Sequence, residues 1–474
     1  MTEQLVYQRF RGKNGRGELT TAKGAALYIG ALLGPGMLLL PGLAAAEAGP
    51  ASIVSWLALL GLSGLLAAVF SALGQRYPQA GRIMGYVAAG LGPLAGRVAG
   101  WSFISGVVAG APIVCLIGAS YVATFAGGGR LMRAVVAALL LLAVLALAAV
   151  GLKASAGAQL VLVVLLIAVV TVAVTGSASS AHLGNWSPFA PYGWPSVGHA
   201  ATTLMLSFVG WEAVAPLTTR LANPSRQLPR VIAIALAATT ALYLGLAIVT
   251  ISVLGRGAAT VVPLADLLRT AIGPAGTAAA AVVAVVLTVG AINAYVSGAL
   301  TMARQFTGSS SRPTCRPDRR VPGRQVSGSA RLRAPGRPGP GLLFLAAIAA
   351  AGLLLISLYG IGIMSTGSLV TLPTALFLAV YLASTLAAVR VLRGPARAAA
   401  IPAAVAVLLL LSYCGWSLAA PVAVAVLVSW TAAVRSPGWC SSAPNVSRTA
   451  PAAPARCRLP VTNEASCRRE LPPS

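Results

Sequence analysis

Charge is the scarcest commodity in this sequence. Only 9% of the 474 residues are Asp, Glu, Lys or Arg, and the acids number eight, where a soluble protein of this length carries about a quarter. Histidine is nearly absent, with two residues, His182 and His199. The chain has no H-E-x-x-H, no P-loop lysine and no histidine within an apolar run, so the motifs of metalloenzymes and nucleotide-binding enzymes are missing. Six cysteines, Cys115, Cys315, Cys414, Cys440, Cys457 and Cys467, lack metal-ligand spacing. With no small secreted framework to staple, they read as free thiols. Neither a metal nor a cofactor is expected.

What is abundant is apolar. Hydrophobic residues make up 57% of the chain and the mean hydropathy is +0.85. Apolar runs of about twenty residues, the length that spans a hydrocarbon core, recur along the chain. Twelve are read, at 24–46, 51–74, 98–126, 131–151, 157–175, 197–219, 230–254, 273–303, 341–361, 367–389, 398–414 and 416–434. The fold class is therefore an all-α membrane protein of about twelve transmembrane helices, whose solvent partner is the lipid bilayer.

The net charge of +26 raises the possibility of nucleic-acid binding, but the basic residues lie in short blocks between apolar runs without aromatic interleaving. No nucleic-acid partner is expected. The positive-inside bias accounts for the same residues. With the N-terminus inside, every Lys and Arg except Arg130, Arg133, Arg256 and Arg269 falls on the cytoplasmic side. This predicts a multi-pass protein of the plasma (inner) membrane with both termini cytoplasmic. A polar N-terminal segment (1–23) precedes the transmembrane body (24–434). Two Arg-, Pro-, Ser- and Gly-rich stretches, a loop at 305–340 and a tail at 435–474, read as disordered. The loop is either a flexible insertion or a reading-frame disturbance, and neither stretch is expected to carry function.

Ionisable groups inside a bilayer are costly and mark function by default. Of the eight acids, only Glu47 and Glu212 fall in or at a span. Glu47 closes the first span near the outer interface and reads most simply as a hydrated end residue. Glu212, well inside the sixth span, is expected to handle substrate or protons.

The first span also contains Gly34-Pro35-Gly36. Proline removes a backbone donor and clashes with the preceding turn, and glycine accepts any backbone geometry, so an unwound stretch is predicted. Free amides there can bind an anion, assisted by the following half-helix. A second break is expected near Gly210. Paired interrupted helices in corresponding places of two inverted five-helix halves mark a midplane substrate site. Glycines at four-residue steps, Gly92, Gly96 and Gly100, and Gly106 and Gly110, read as close helix packing.

Four segments resemble one family. "LLGPGMLLLPG" (32–42) is similar to a first-span "IGSGIFxLPG" pattern, and "RYPQAGRIMGYV" (76–87) to a "PxxGGxYxY" segment. "SFVGWEAVAPLTTRLANPSRQLPR" (207–230) matches a "GxE" followed by "NPxRxxP". "INAYVSGALTMARQF" (292–306) is similar to an eighth span, in which Asn293 and Tyr295 would face the site. Together they resemble the amino acid–polyamine–organocation superfamily, most of all its methionine and branched-chain amino-acid exporter group. The resemblance implies a five-plus-five inverted repeat with discontinuous helices 1 and 6 and two further helices. It implies a secondary active transporter for a small amino acid, probed at Gly34 and Gly36 (carboxylate, through backbone amides), Phe208 and Gly210 (sixth-span break and gate), Glu212 (break or proton-linked gating) and Asn293. Small apolar residues of the third span, Val108, Ala109 and Ala111, favour a neutral aliphatic substrate. The sequence departs from the family at Pro35, which replaces a small polar residue, at Arg82, which replaces a glycine, and in the fifth span, which has no lysine. A permease-like scaffold or sensor that transports nothing is the alternative.

Overall fold

The computed structural model describes residues 20–77, 83–151, 156–211, 221, 224–307 and 340–434, and these are helical almost throughout. Residues 1–432 form one compact unit. Residues 433–474 form a second, of which only Ala433 and Val434 are described.

Among the described residues, fifteen α-helices follow one another. They are α1 (Thr21–Leu32), α2 (Gly36–Ala48), α3 (Ser52–Arg76), α4 (Ile83–Leu91), α5 (Pro93–Phe125), α6 (Arg130–Ala149), α7 (Ala156–Ser177) and α8 (Pro195–Leu204). After these come α9 (Pro224–Leu254), α10 (Pro263–Ile272), α11 (Pro274–Thr307), α12 (Pro340–Gly360), α13 (Thr366–Val391), α14 (Pro395–Ser412) and α15 (Ala419–Val434).

Helix starts follow local chemistry. Proline opens α5, α8, α9, α10, α11, α12 and α14, the position where its missing N–H has no intrahelical partner anyway. Thr20 caps α1 by accepting the Lys23 amide (3.4 Å), and Ser365 caps α13 by accepting that of Ser368 (3.1 Å).

Among the described residues, ten stretches are long and apolar enough to cross a membrane. One of them, 36–76, joins the second half of the first expected span to the second through a turn at Gly49, whose φ is 60°. The first expected span does not count as a whole helix because it is interrupted, and the described part of the sixth ends in a break, as described below, its residues 212–219 lying outside the described residues. Two short helices, α4 and α10, were not expected. At nine and ten residues they fall below the length at which an apolar run signals a span.

α5 is the central post. It packs against α4, α6, α11, α12 and α13, and 72% of its apolar window is buried, against 6% for the window covering α15. α1 lies on α9 and α7, and α2 lies on α8. The glycine steps divide in outcome. A methyl group on Gly96 would lie 2.7 Å from the Met84 carbonyl oxygen, so α5 and α4 do touch there. Gly92 instead forms the turn before α5 at φ 93° and has nothing within 4 Å. Among the described cysteines, Cys115 and Cys414 are free and buried.

Candidate substrate site between two helix breaks

The first break lies at Leu33-Gly34-Pro35. Leu33 leaves the helical region (φ −81°, ψ 80°), and α2 begins at Gly36. Proline explains the interruption: it cannot donate, and its ring clashes with a continuing helix. The remaining amides are largely spent within the break. Gly34 N–H donates to the Leu32 carbonyl (3.0 Å), Met37 N–H to that of Gly34 (3.2 Å) and Leu38 N–H to that of Pro35 (3.0 Å).

The second break follows α8. That helix tightens into a 3₁₀ turn, Met205–Phe208, and then Val209 turns extended (ψ 132°). Gly210 adopts φ 139°, a backbone conformation open to glycine and strained for other residues. Its N–H donates to the Tyr381 hydroxyl (3.1 Å).

Tyrosines from surrounding helices hold both breaks. Tyr243 on α9 places its hydroxyl 3.1 Å from the Leu32 carbonyl oxygen and 2.8 Å from that of Ser207, so one phenol bridges the two interruptions. Tyr28 on α1 donates to the Trp211 carbonyl (3.2 Å), and Tyr121 on α5 to that of Leu38 (2.6 Å). A broken helix leaves carbonyls unpaired, and in an apolar interior each needs a donor. A buried tyrosine needs a partner for its hydroxyl. Each requirement meets the other here.

A pocket of about 630 Å³, its mouth included, opens between the breaks. Gly34, Pro35 and Gly36 line it from the first, and Leu206, Ser207 and Val209 from the second. α5 contributes Gly106, Val107, Gly110, Ala111, Val114 and Ile117; Ile292 and Tyr295 come from α11, and Phe377 from α13. The walls are apolar apart from the exposed backbone and two hydroxyl side chains, those of Ser207 and Tyr295.

The expected site residues fall in different places. Gly34 and Gly36 lie together in the pocket wall. Phe208 is not a lining residue; it is buried against Trp56 and Tyr243, with ring centroids 5.8 and 5.1 Å apart. Gly210 sits in the second break, beside the wall residue Val209. Asn293 is buried next to Ile292, and Ile292 and Tyr295 are the residues of α11 that face the pocket. Glu212 lies outside the described residues. In the third span, Ala111 lines the pocket, joined by Val107, Val114 and Ile117 where Val108 and Ala109 were expected.

Gly110, read from its spacing as packing, is also part of the wall: a methyl group there would meet only the Pro373 Cβ, at 3.7 Å. Ser207 and the four tyrosines were missed. The signal available for the tyrosines was a phenol in the middle of an apolar run. Ser207 showed itself only as a small residue close to the Gly210 break. His199 lies exposed within α8 and meets Tyr413 edge to face (5.2 Å).

A bundle of apolar helices wrapped around two interrupted ones, with a small apolar cavity where they break, is the architecture of a membrane transporter. The comparisons specify which kind. The sequence model of the Amino acid permease family matches residues 19–434, and this chain belongs to that family. It is thus a multi-pass membrane transporter and not an enzyme.

The uncharacterized amino acid permease YecA of Bacillus subtilis (strain 168) is 28% identical over 410 residues, 86% of this chain and 93% of YecA. The L-methionine/branched-chain amino acid exporter YjeH of Escherichia coli (strain K12) is 32% identical over 240 residues, covering 49% of this chain and 56% of the exporter. The branched-chain amino acid permease BcaP of Bacillus subtilis (strain 168) is 27% identical over 259 residues, 51% of this chain and 54% of BcaP.

Proposed function

We propose that this chain is a secondary active transporter that carries a small, neutral, aliphatic amino acid across the plasma membrane by alternating access. The observation that carries this reading is the pocket between the two breaks. Its wall combines apolar side chains with a helix start at Gly36. A helix N-terminus favours a carboxylate, and an apolar wall accepts an aliphatic tail. No acid stands among the described lining residues, so a cationic side chain would have no partner there. The names of YjeH and BcaP agree with a branched-chain or methionine-like substrate.

In this reading the chain crosses the membrane twelve times with both termini in the cytoplasm. Helices 1 to 5 and 6 to 10 form the two inverted halves, and 305–340 and 435–474 are cytoplasmic. Gly36 receives the carboxylate through its amide, with Gly34 beside it in the wall, Gly210 with Phe208 behind it forms the hinge of the sixth span, Asn293 supports the eighth-span wall, and Glu212 links transport to protons. Alternating access runs in either direction with the gradient.

The test is flux of labelled leucine, methionine and arginine in liposomes containing the purified chain. Saturable movement of the first two and none of arginine is expected. A chain that moves none of them in either direction is a scaffold or sensor. Glu212→Gln should change the pH dependence of flux, and a pH profile identical to wild type removes Glu212 from the coupling.

A further inference from the structure

The hydrogen bonds of the first break leave a specific remainder. Pro35 has no N–H, and the amides of Gly34, Met37 and Leu38 already donate within the break. Gly36, the first residue of α2, keeps an amide with no intrahelical acceptor. Across the pocket, Ser207 is 3% exposed, and its Oγ has no partner in hydrogen-bond geometry among the described residues: the neighbouring Tyr243 hydroxyl is turned to the Leu32 and Ser207 carbonyls. Its own carbonyl, by contrast, is held by Tyr243 (2.8 Å).

The two groups are neighbours. A methyl group on Gly36 would lie 2.7 Å from Ser207 Oγ, so the hydroxyl occupies the space that a side chain on residue 36 would need. Both residues line the pocket. An unpaired buried hydroxyl is destabilising and uncommon in native proteins, so its persistence beside a cavity marks a place that a ligand completes.

The chemistry of that ligand follows from the donors. A backbone amide can only donate, a serine hydroxyl can donate, and the start of α2 adds the positive end of a helix dipole. An acceptor with negative charge fits all three, and a carboxylate offers two oxygens for two donors.

We propose that the Ser207 hydroxyl is a ligand of the substrate carboxylate, acting with the Gly36 amide across the two breaks. The proposal deepens the amino acid reading above and depends on it for the identity of the substrate, though not for the presence of an anion site. One donor comes from each interrupted helix, so an anion bridging them draws the two together.

The experiment is equilibrium binding to the purified full chain in detergent, wild type and Ser207→Ala, with L-leucine and 4-methylpentanoate as probes. The second probe keeps the tail and carboxylate and lacks the amino group. The thermal midpoint of the ligand-free protein is measured alongside. The expected result is at least tenfold weaker binding of both probes by the variant. Its ligand-free midpoint should be equal to or above that of wild type, because the deleted hydroxyl makes no bond in the empty protein. Leucine binding at wild-type affinity by the variant overturns the inference and leaves the permease reading standing. A lowered ligand-free midpoint together with weaker binding also overturns it, by showing that the hydroxyl is structural. Ser207-dependent binding of 4-methylpentanoate without leucine binding upholds the anion site and removes the amino acid reading. If wild type binds neither probe, both fail.

Discussion

The Thr203 hydroxyl on α8 lies 2.8 and 3.0 Å from the two carboxylate oxygens of Glu47 on α2. This bond ties together the two half-helices that border the pocket, and a methyl group on Gly367, in the first turn of α13, would lie 3.9 Å from the same carboxylate. Glu47 is thus not the freely hydrated end residue that its position suggested, but a partly buried tie between elements. Thr203→Val should lower stability by about 1.5–3 kcal/mol, the range for a hydrogen bond to a charged group. Thermal unfolding of the two proteins side by side measures this, and an unchanged midpoint would show that water replaces the bond at no cost.

Two glycines of one motif should behave differently. A methyl group on Gly34 meets nothing within 4 Å, whereas one on Gly36 runs into Ser207 Oγ. Gly36→Ala should therefore abolish substrate binding while Gly34→Ala stays near wild type, as read by leucine flux in liposomes. Equal loss in both would mean that backbone freedom, and not space, is what the motif supplies.

Gly110 sets the depth of the pocket. The nearest atom to an added methyl there is 3.7 Å away, an ordinary contact, so Gly110→Val should fold and occupy part of the cavity. Its selectivity should shift from leucine toward alanine by roughly tenfold or more, the scale of a few methylenes in an apolar site. Competition flux with both amino acids reads the ratio. Gly106→Ala is the contrast: its methyl would press on the Phe377 ring at 3.0 Å, and stability should fall instead.

Tyr243→Phe keeps the ring contacts with Trp56 (5.2 Å) and Phe208 (5.1 Å) and deletes the hydroxyl that serves both breaks. The Leu32 carbonyl retains the Gly34 amide, while that of Ser207 loses the bond from Tyr243. A loss of about 1–3 kcal/mol is expected, the cost of an unpaired buried acceptor, and thermal unfolding checks it. A variant as stable as wild type would show that the bridge is dispensable.

Asp266 belongs to α10, outside the spanning helices. Burial pushes its carboxyl above the ordinary range, opposed by a bond from Thr260 and by the Arg269 charge. A carboxyl raised in the folded state binds its proton more tightly there than in the unfolded chain. Its contribution is complete below the ordinary Asp value of about 3.9 and is lost as pH rises through the raised one. Asp266→Asn should therefore unfold at the same or a higher temperature than wild type at neutral pH, with a flatter decline between acid and neutral conditions. A steeper decline in the variant would reverse the sign.

Much of the fold was legible because membrane insertion imposes one-dimensional rules. Span length is set by bilayer thickness, and Pro35 interrupts its helix whatever surrounds it. The positions of the apolar runs and the breaks near Gly34 and Gly210 follow from such local chemistry. α4 and α10 escaped because a nine- or ten-residue helix has no bilayer length to announce it. The glycine steps misled in part because four-residue spacing places Gly106 and Gly110 on one face of α5 without saying what that face meets. Only the packed structure shows Phe377 against Gly106 and open space beside Gly110.

The sequence by itself determined that this is a bundle of apolar helices with breaks near Gly34 and Gly210, since each of those properties is written in neighbouring residues. Tertiary structure alone decided which groups meet at the interruptions. Tyr243 and Leu32 are 211 positions apart, Tyr28 and Trp211 are 183 apart, and Ser207 faces Gly36 from the other broken helix. Partnership between hydroxyls, amides and carbonyls depends on distances in space, and no local pattern along a chain encodes a distance between residues so far separated.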